Sequence, residues 1–207
     1  FSEKRISGGS GNDTVKLISS EVSQLSLHEF TNFLDVELID LSGGASVGVE
    51  FSIINADQID NTLSSAGVTI RGGSGQDNII VQGNGNEFRH KTIFDAIDMI
   101  TLSDTATFQR LAFSSDTSFI NSSSVTIQST VNTDGTFDAV SVVNNEDNPN
   151  STFAFDFSNM NLINVEVSGR QDTGQGTTIS FNEGTNFGTA PLRGSFSGGS
   201  KDVLNYL

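Results

Sequence analysis

"RISGGSGNDTVKL" (residues 5–17) and "TIRGGSGQDNIIV" (69–81) are two copies of one phrase. In each, a turn of three glycines and a serine runs to an aspartate, Asp13 or Asp77, and then into a short apolar stretch. Glycine permits positive φ, so successive carbonyls of such a turn can point toward one centre. The aspartate adds charged oxygen, and the apolar residue that follows, Val15 or Ile79, anchors a strand. The phrase reads either as a glycine-rich turn whose aspartate caps its own backbone, or as an oxygen-lined loop for a hard cation such as calcium.

Aligning the chain on these aspartates brings out a longer period. Asp13 precedes "TVKL", Asp77 "NIIV", Asp138 "AVSVV" and Asp202 "VLNYL", so the aspartates recur at nearly equal intervals. The interiors align too: "FLDVELIDLS" (33–42) with "FDAIDMITLS" (94–103) and, more loosely, "NLINVEVS" (161–168). Phe51, Phe113 and Phe181 centre the next apolar stretches, which predicts one stacked core column. His28 and His90 fall at nearly equivalent offsets. The units run approximately 13–76, 77–137 and 138–201, with 202–207 starting a fourth, in a single repetitive domain over 1–207.

Each unit holds about four short alternating stretches split by Gly, Asn, Ser and Asp turns, with mild helical spacing only at 21–36 and 88–98. Tandem units of this kind bury their open faces against one another. The expectation is an all-β chain wound as a right-handed β-helix or β-solenoid, each unit spanning two or three coils. The alternative is a string of small β-sandwich modules.

Composition narrows the function. Twenty-five acidic against 10 basic residues give a formal charge of −15, which repels phosphate backbones and anionic lipid surfaces. Nucleic acid is therefore not an expected partner. No run of 18 apolar residues occurs, so membrane insertion is not expected either. The absence of cysteine excludes a disulfide framework and thiol catalysis. Sixteen Phe against one Tyr and no Trp suit a core more than a sugar-stacking platform. The opening Phe1-Ser2-Glu3-Lys4, without methionine or an apolar signal region, reads as a segment of a longer chain.

"GGSGNDTVK" (8–16) and "GGSGQDNII" (72–80) fit the nonapeptide GGxGxDxUx, with U apolar, and so resemble the calcium-binding RTX proteins. The texture around them resembles large secreted bacterial surface proteins, S-layer proteins and giant adhesins. The resemblance implies type I secretion to the cell surface and a structural or adhesive role. It also implies calcium held by Gly8, Gly9, Gly11 and Asp13 and by Gly72, Gly73, Gly75 and Asp77. The chain departs from that pattern. Its phrases are isolated rather than back to back, and the later copies are degraded, "NTDGTFD" keeping Asp134, Gly135 and Asp138 and "GGSKD" introducing Lys201.

The other candidate chemistry is weaker. Asp35, Glu37 and Asp40 in "DVELID", with Asp98 and Glu166 at aligned places, could do acid–base work on a glycan, but alternation with Val36 and Leu38 reads as a solvated strand face. Glu146 and Asp147 sit in a loop insertion, and the histidines lack partners at metal spacing. No nucleophile elbow or phosphate loop occurs. The reading is a non-enzymatic segment of a secreted surface protein that associates with itself or with neighbouring repeats, cell-surface glycan being a further partner. A β-helical polysaccharide-active enzyme, or a phage fibre or depolymerase, is the alternative.

Overall fold

The computed structural model describes residues 4–26, 30–60, 67–83, 86–103, 108–129, 138–143, 153–168, 177–181 and 203–206. Its strands are β1 (Lys4–Ser7), β2 (Thr14–Lys16) and β3 (Gln24–Ser26), then β4 (Phe30–Leu34), β5 (Leu38–Asp40) and β6 (Glu50–Ile53). A single helical turn, α1 (Asp57–Asp60), leads to β7 (Val68–Arg71), β8 (Asn78–Val81), β9 (Asn86–Phe88), β10 (Thr92–Asp95), β11 (Met99–Leu102) and β12 (Arg110–Phe113). There follow β13 (Ser118–Ile120), β14 (Val125–Ser129), β15 (Asp138–Val142), β16 (Phe153–Asp156), β17 (Met160–Ile163), β18 (Val165–Ser168), β19 (Thr177–Phe181) and β20 (Val203–Tyr206).

All the strand pairs among the described residues are parallel, and each joins strands one coil apart. The first side of the solenoid is the sheet β2-β5-β7-β10-β13, and the second is β3-β6-β8-β11-β14-β17. The third is β9-β12-β15-β18, which α1, touching both β4 and β9, links to the pair β1-β4. The sheet β16-β19-β20 continues the first side, because Phe155 of β16 packs on Phe119 of β13. The chain is thus an all-β, three-sided parallel solenoid. The segment 88–98, with its mild helical spacing, forms β9 and β10 instead. Its apolar residues alternate within strands that neighbouring coils already pair, and tertiary pairing overrides so weak a helical signal.

Alternation explains the core. On the first side Val15, Ile39, Ile70, Phe94 and Phe119 stand in register and face inward. On the second, Leu25, Phe51, Ile79, Ile100, Ile127 and Leu162 do the same. Early coils fill the interior with Ile and Val. From the fourth coil onward phenylalanines take over, Phe88 stacked on Phe113 at 5.9 Å and Phe113 on Phe155 at 4.9 Å between ring centres. Burying each such ring contributes about 1.5–3 kcal/mol.

Phe51, Phe113 and Phe181 are all buried, but they do not form the single column expected of them. They lie in β6, β12 and β19, which belong to three different sheets. The register shows why. The coil varies in length, shortest from Ile79 to Ile100 and longest from Ile127 to Leu162. One repeat, from Asp13 to Asp77 or from Asp77 to Asp138, spans seven sides, two coils and a third. Asp13 opens β2 on the first side, Asp77 opens β8 on the second and Asp138 begins β15 on the third. Each repeat is rotated one side from the last.

The aligned interiors share one backbone feature. Asp35, Ala96 and Asn164, each at the corner between two strands, have φ of 51°, 54° and 55°. Asp and Asn tolerate this left-handed conformation, whereas alanine there costs about 1–2 kcal/mol. Ala96→Gly should therefore raise stability by about 1 kcal/mol in urea unfolding; an unchanged or lower midpoint would show that the corner is not strained.

Candidate functional site

The glycine phrases occupy corners, where the backbone leaves one sheet before entering the next and buried amides need partners from outside the ladders. At the second phrase Asp77 supplies them. One carboxylate oxygen accepts the amide of Gly73 in its own turn at 2.6 Å, and the other accepts that of Val49, one coil below, at 2.8 Å. Its own N–H donates to the Asp98 carboxylate one coil above at 3.0 Å, and its carbonyl accepts from Asp98 and Met99. Val49, Asp77 and Asp98 each immediately precede a strand of the second side, so the staples form a continuous chain up that edge.

The same device recurs on the other sides. Asp13 N–H donates to the Glu37 carboxylate at 2.8 Å on the first. On the third, Ala56 N–H donates to the Asn86 side-chain oxygen at 2.9 Å and Gln109 N–H to Asp138 at 2.7 Å. The second oxygen of Asp138 accepts from the Ser129 hydroxyl. At these five corners an acidic or amide side chain opening a strand takes the N–H of the residue that opens the strand, or at Ala56 the helical turn, one coil below.

Asp13 is the exception. Its Oδ2 is buried and lacks a hydrogen-bond partner, because β2 is the outermost strand of its sheet and no described coil lies beneath it. The two glycine phrases also differ in backbone. Gly9 and Gly11 have φ of 103° and 131°, whereas Gly72, Gly73 and Gly75 stay out of that region. What the phrases share is crowding: a Cβ on Gly8 would collide with the Asp35 carbonyl and Asp13, and one on Gly72 with the Ala96 carbonyl and Asp77. A cation at Asp77 would have to displace two amides, whereas at Asp13 Oδ2 there is no amide to displace. Among the described residues no group of three or more His, Asp or Glu side chains converges at metal distance.

The "DVELID" acids are not a solvated strand face. Asp35 is a corner, and Glu37 precedes the strand and holds Asp13. Asp40 is buried in a charge ladder running along the first side. Lys16, Asp40, Arg71 and Asp95 are register partners of alternating sign, with Lys16–Asp40 at 3.3 Å and Arg71–Asp95 at 2.8 Å, and Asn121 closes on Asp95 at 2.6 Å. The sequence signal, a charge ending each strand, is visible only once the coil length is known. His90 is half-buried at a bend, and Glu166 lies half-buried in β18. His28, Asp134, Gly135, Glu146, Asp147, Lys201 and Asp202 lie outside the described residues.

A cavity breaks the regular surface of the first side. The first side is interrupted between β13 and β16, which belong to different sheets, and a space of about 570 Å³ opens there. Ser118, Phe119, Ser124, Phe155, Asp156 and Ser180 line it.

Compared with protein-family models, curated proteins and solved structures, the chain matches none of them. The class of protein its geometry defines is a three-sided parallel β-solenoid with side-chain-stapled corners. No helix among the described residues is long and apolar enough to cross a membrane.

The Asp77 staple and the charge ladder of the first side carry opposite pH signatures. Burial pushes the Asp77 carboxyl above its ordinary 3.8, against the pull of the Gly73 and Val49 amides and aided by the charge of Asp98. The folded state then binds this proton more tightly than the unfolded chain, so the Asp77 contribution falls as pH rises from 3.8 through the folded value. The hydrogen bond from Arg71, then that from Asn121, holds Asp95 below 3.8. Burial would raise Asp40, but bonds from Ser42 and Lys16 outweigh it and hold that group below 3.8 as well. Stability from Asp40 and Asp95 is present above 3.8 and lost as pH falls through their folded values. In urea midpoints measured from acid to neutrality, Asp77→Asn should remove a decline above pH 3.8, and Asp95→Asn should soften the acid loss below it. Identical profiles for both variants and the parent would contradict these assignments.

Proposed function

We propose that this chain is a structural segment of a secreted bacterial cell-surface protein, of the S-layer, surface-filament or adhesin kind, reached by type I secretion. Its work is spacing and assembly with copies of itself or neighbouring repeats, and it carries out no catalysis. The observation that supports this reading is the employment of the acids. Asp77, Asp98, Asp138, Glu37, Asp40 and Asp95 bond coil to coil rather than converge on a cleft. Calcium at the glycine turns, the Gly8–Asp13 turn foremost, adds stability, its ligands being the orphan Asp13 oxygen, Glu37 and turn carbonyls. The −15 charge favours any cation without distinguishing one.

Magnesium at matched ionic strength makes that distinction, since its rigid octahedral demand suits a carbonyl-lined turn poorly. Calcium should raise the melting temperature more than magnesium, by an increment equivalent to about 2.7 kcal/mol at a hundredfold excess over Kd, and Asp13→Asn should erase the difference. Equal shifts from both ions, unchanged in Asp13→Asn, would reduce the glycine phrase to a turn.

The cavity between β13 and β16 favours a second reading, a polysaccharide-active β-helix or phage fibre, because it combines hydroxyls, a carboxylate and the ring of Phe119. Cleavage of a bacterial polysaccharide that disappears in Asp156→Asn would select that reading over the structural one.

A further inference from the structure

On the first side the ladder lapses between β13 and β16, although the same two coils stay paired on the other sides, β14 with β17 and β15 with β18. The rings record the splay. Phe94 and Phe119, in paired strands, stack at 4.8 Å, the ordinary strand spacing, whereas Phe119 and Phe155 meet edge to face at 6.4 Å. β13 bonds β10, β16 bonds β19, and no described strand lies between β13 and β16, so backbone amides and carbonyls of their facing edges border the cavity. At the next corner the coils close again. Ser124 Oγ donates to the Asn159 carbonyl at 3.1 Å and accepts from Asn161 Nδ2 at 3.1 Å. The cavity is thus a wedge fixed at its corner by side chains, with the exposed Asp156 in its lining.

Its chemistry selects an occupant. About 570 Å³ lies within the roughly 300–1,000 Å³ of small-molecule sites. No cationic side chain lines it and Asp156 is the lone acid among the lining residues, so an anion is repelled, the more so by a chain of charge −15. A single carboxylate is a poor set for a hard cation, and a wholly apolar ligand would strand the serine hydroxyls and the edge amides. An uncharged ring with hydroxyls on its rim and C–H groups on its face, a neutral pyranose, satisfies both parts of the lining. The Phe119 and Phe155 rings take the C–H face, and Ser118, Ser180 and Asp156 take hydroxyls. Asp156 is held for this, since Oδ1 accepts the Ser158 amide at 2.9 Å and leaves the second oxygen for a ligand. Thr117 adds an independent sign. It lines the cavity, is 7 % exposed, and its buried Oγ1 has no hydrogen-bond partner. Such groups are rare in folded proteins. A turn to another staggered rotamer would bring this hydroxyl to a ligand.

We infer that the cavity between β13 and β16 binds a neutral sugar residue of a cell-surface glycan and holds it without cleaving it. Glycoside cleavage ordinarily uses a pair of carboxylates, and this lining offers one. The inference rests on the reading of the chain as a surface segment and gives its adhesive form a ligand class.

The test is an amide-resolved titration of the whole isotope-labelled chain with glucose, galactose, mannose, N-acetylglucosamine and their disaccharides, glucuronic acid being the charged counterpart. A neutral sugar should move the Ser118, Phe119 and Ser124 amides saturably, and glucuronate should bind at least about tenfold more weakly. Asp156→Asn should narrow that gap. Thr117→Val keeps the shape and deletes the hydroxyl, so it should weaken binding about tenfold. It should also raise the melting temperature of the free chain by removing an unpaired buried group, which shows that the variant folds. Disaccharides binding more tightly than monosaccharides would mark a glycan chain as the source, and equal binding would overturn that part. No saturable shift with any of these sugars, or shifts indifferent to Thr117→Val and Phe119→Leu, would overturn the site and leave the assembly reading standing, since that is read from association and melting. An extended peptide that moves these amides where sugars do not would overturn it in favour of strand addition at the open edges. Reducing ends released during the titration would overturn the claim that the site only holds its ligand.

Discussion

A parallel solenoid bonds coil to coil along its strands and loses that bonding wherever the chain turns. At five described corners the loss is made good by one interaction, the amide of the residue that opens a strand or helical turn donated to an acidic or amide side chain one coil above. At Asp77 and Asp138 the bond is 2.8 and 2.7 Å and fully buried. An unpaired buried amide costs about 1–3 kcal/mol. Without these side chains, each stapled corner would carry that deficit, although backbone bonds such as Gln76 N–H to the Val47 carbonyl also join coils at the corners. The glycines follow from the same constraint, because the staple draws the next coil so close to Gly8 and Gly72 that no side chain fits there.

The staples also set the packing. Fixing the first residue of a strand over the first residue of the strand below fixes register, and register keeps apolar residues inward for the whole side. The columns from Leu25 to Leu162 and from Val15 to Phe119 depend on it. So does the outward ladder of Lys16, Asp40, Arg71 and Asp95, since a slip of one residue would carry those charges into the core. Where register lapses, between β13 and β16, the cavity appears.

The solenoid and the strand-opening role of Asp13, Asp77 and Asp138 were legible in the sequence, because alternation and the glycine phrases recur strongly. The coil was not. Corner loops make the coil far longer between Ile127 and Leu162 than between Ile79 and Ile100. No fixed short period survives that variation, and the signal that does survive is the seven-sided one. That is why Phe51, Phe113 and Phe181 read as one column while lying on three sides. Asp35, Glu37 and Asp40 read as a strand face because nothing local announces the left-handed corner at Asp35, an aspartate that tolerates positive φ without glycine. The Val49, Ala56 and Gln109 amides could not be found at all, since a backbone donor leaves no mark on residue identity.

Amide hydrogen exchange read residue by residue tests the staple most directly. Val49, Ala56 and Gln109 lie outside the strands, and their protection should equal that of strand amides in the same sheets. In Asp77→Ala, Val49 should exchange at least about tenfold faster relative to those strand amides, with Ala56 and Gln109 unchanged. Rapid exchange at all three in the parent, or a Val49 rate indifferent to the loss of the Asp77 carboxylate, would contradict the claim that side chains hold the corners together.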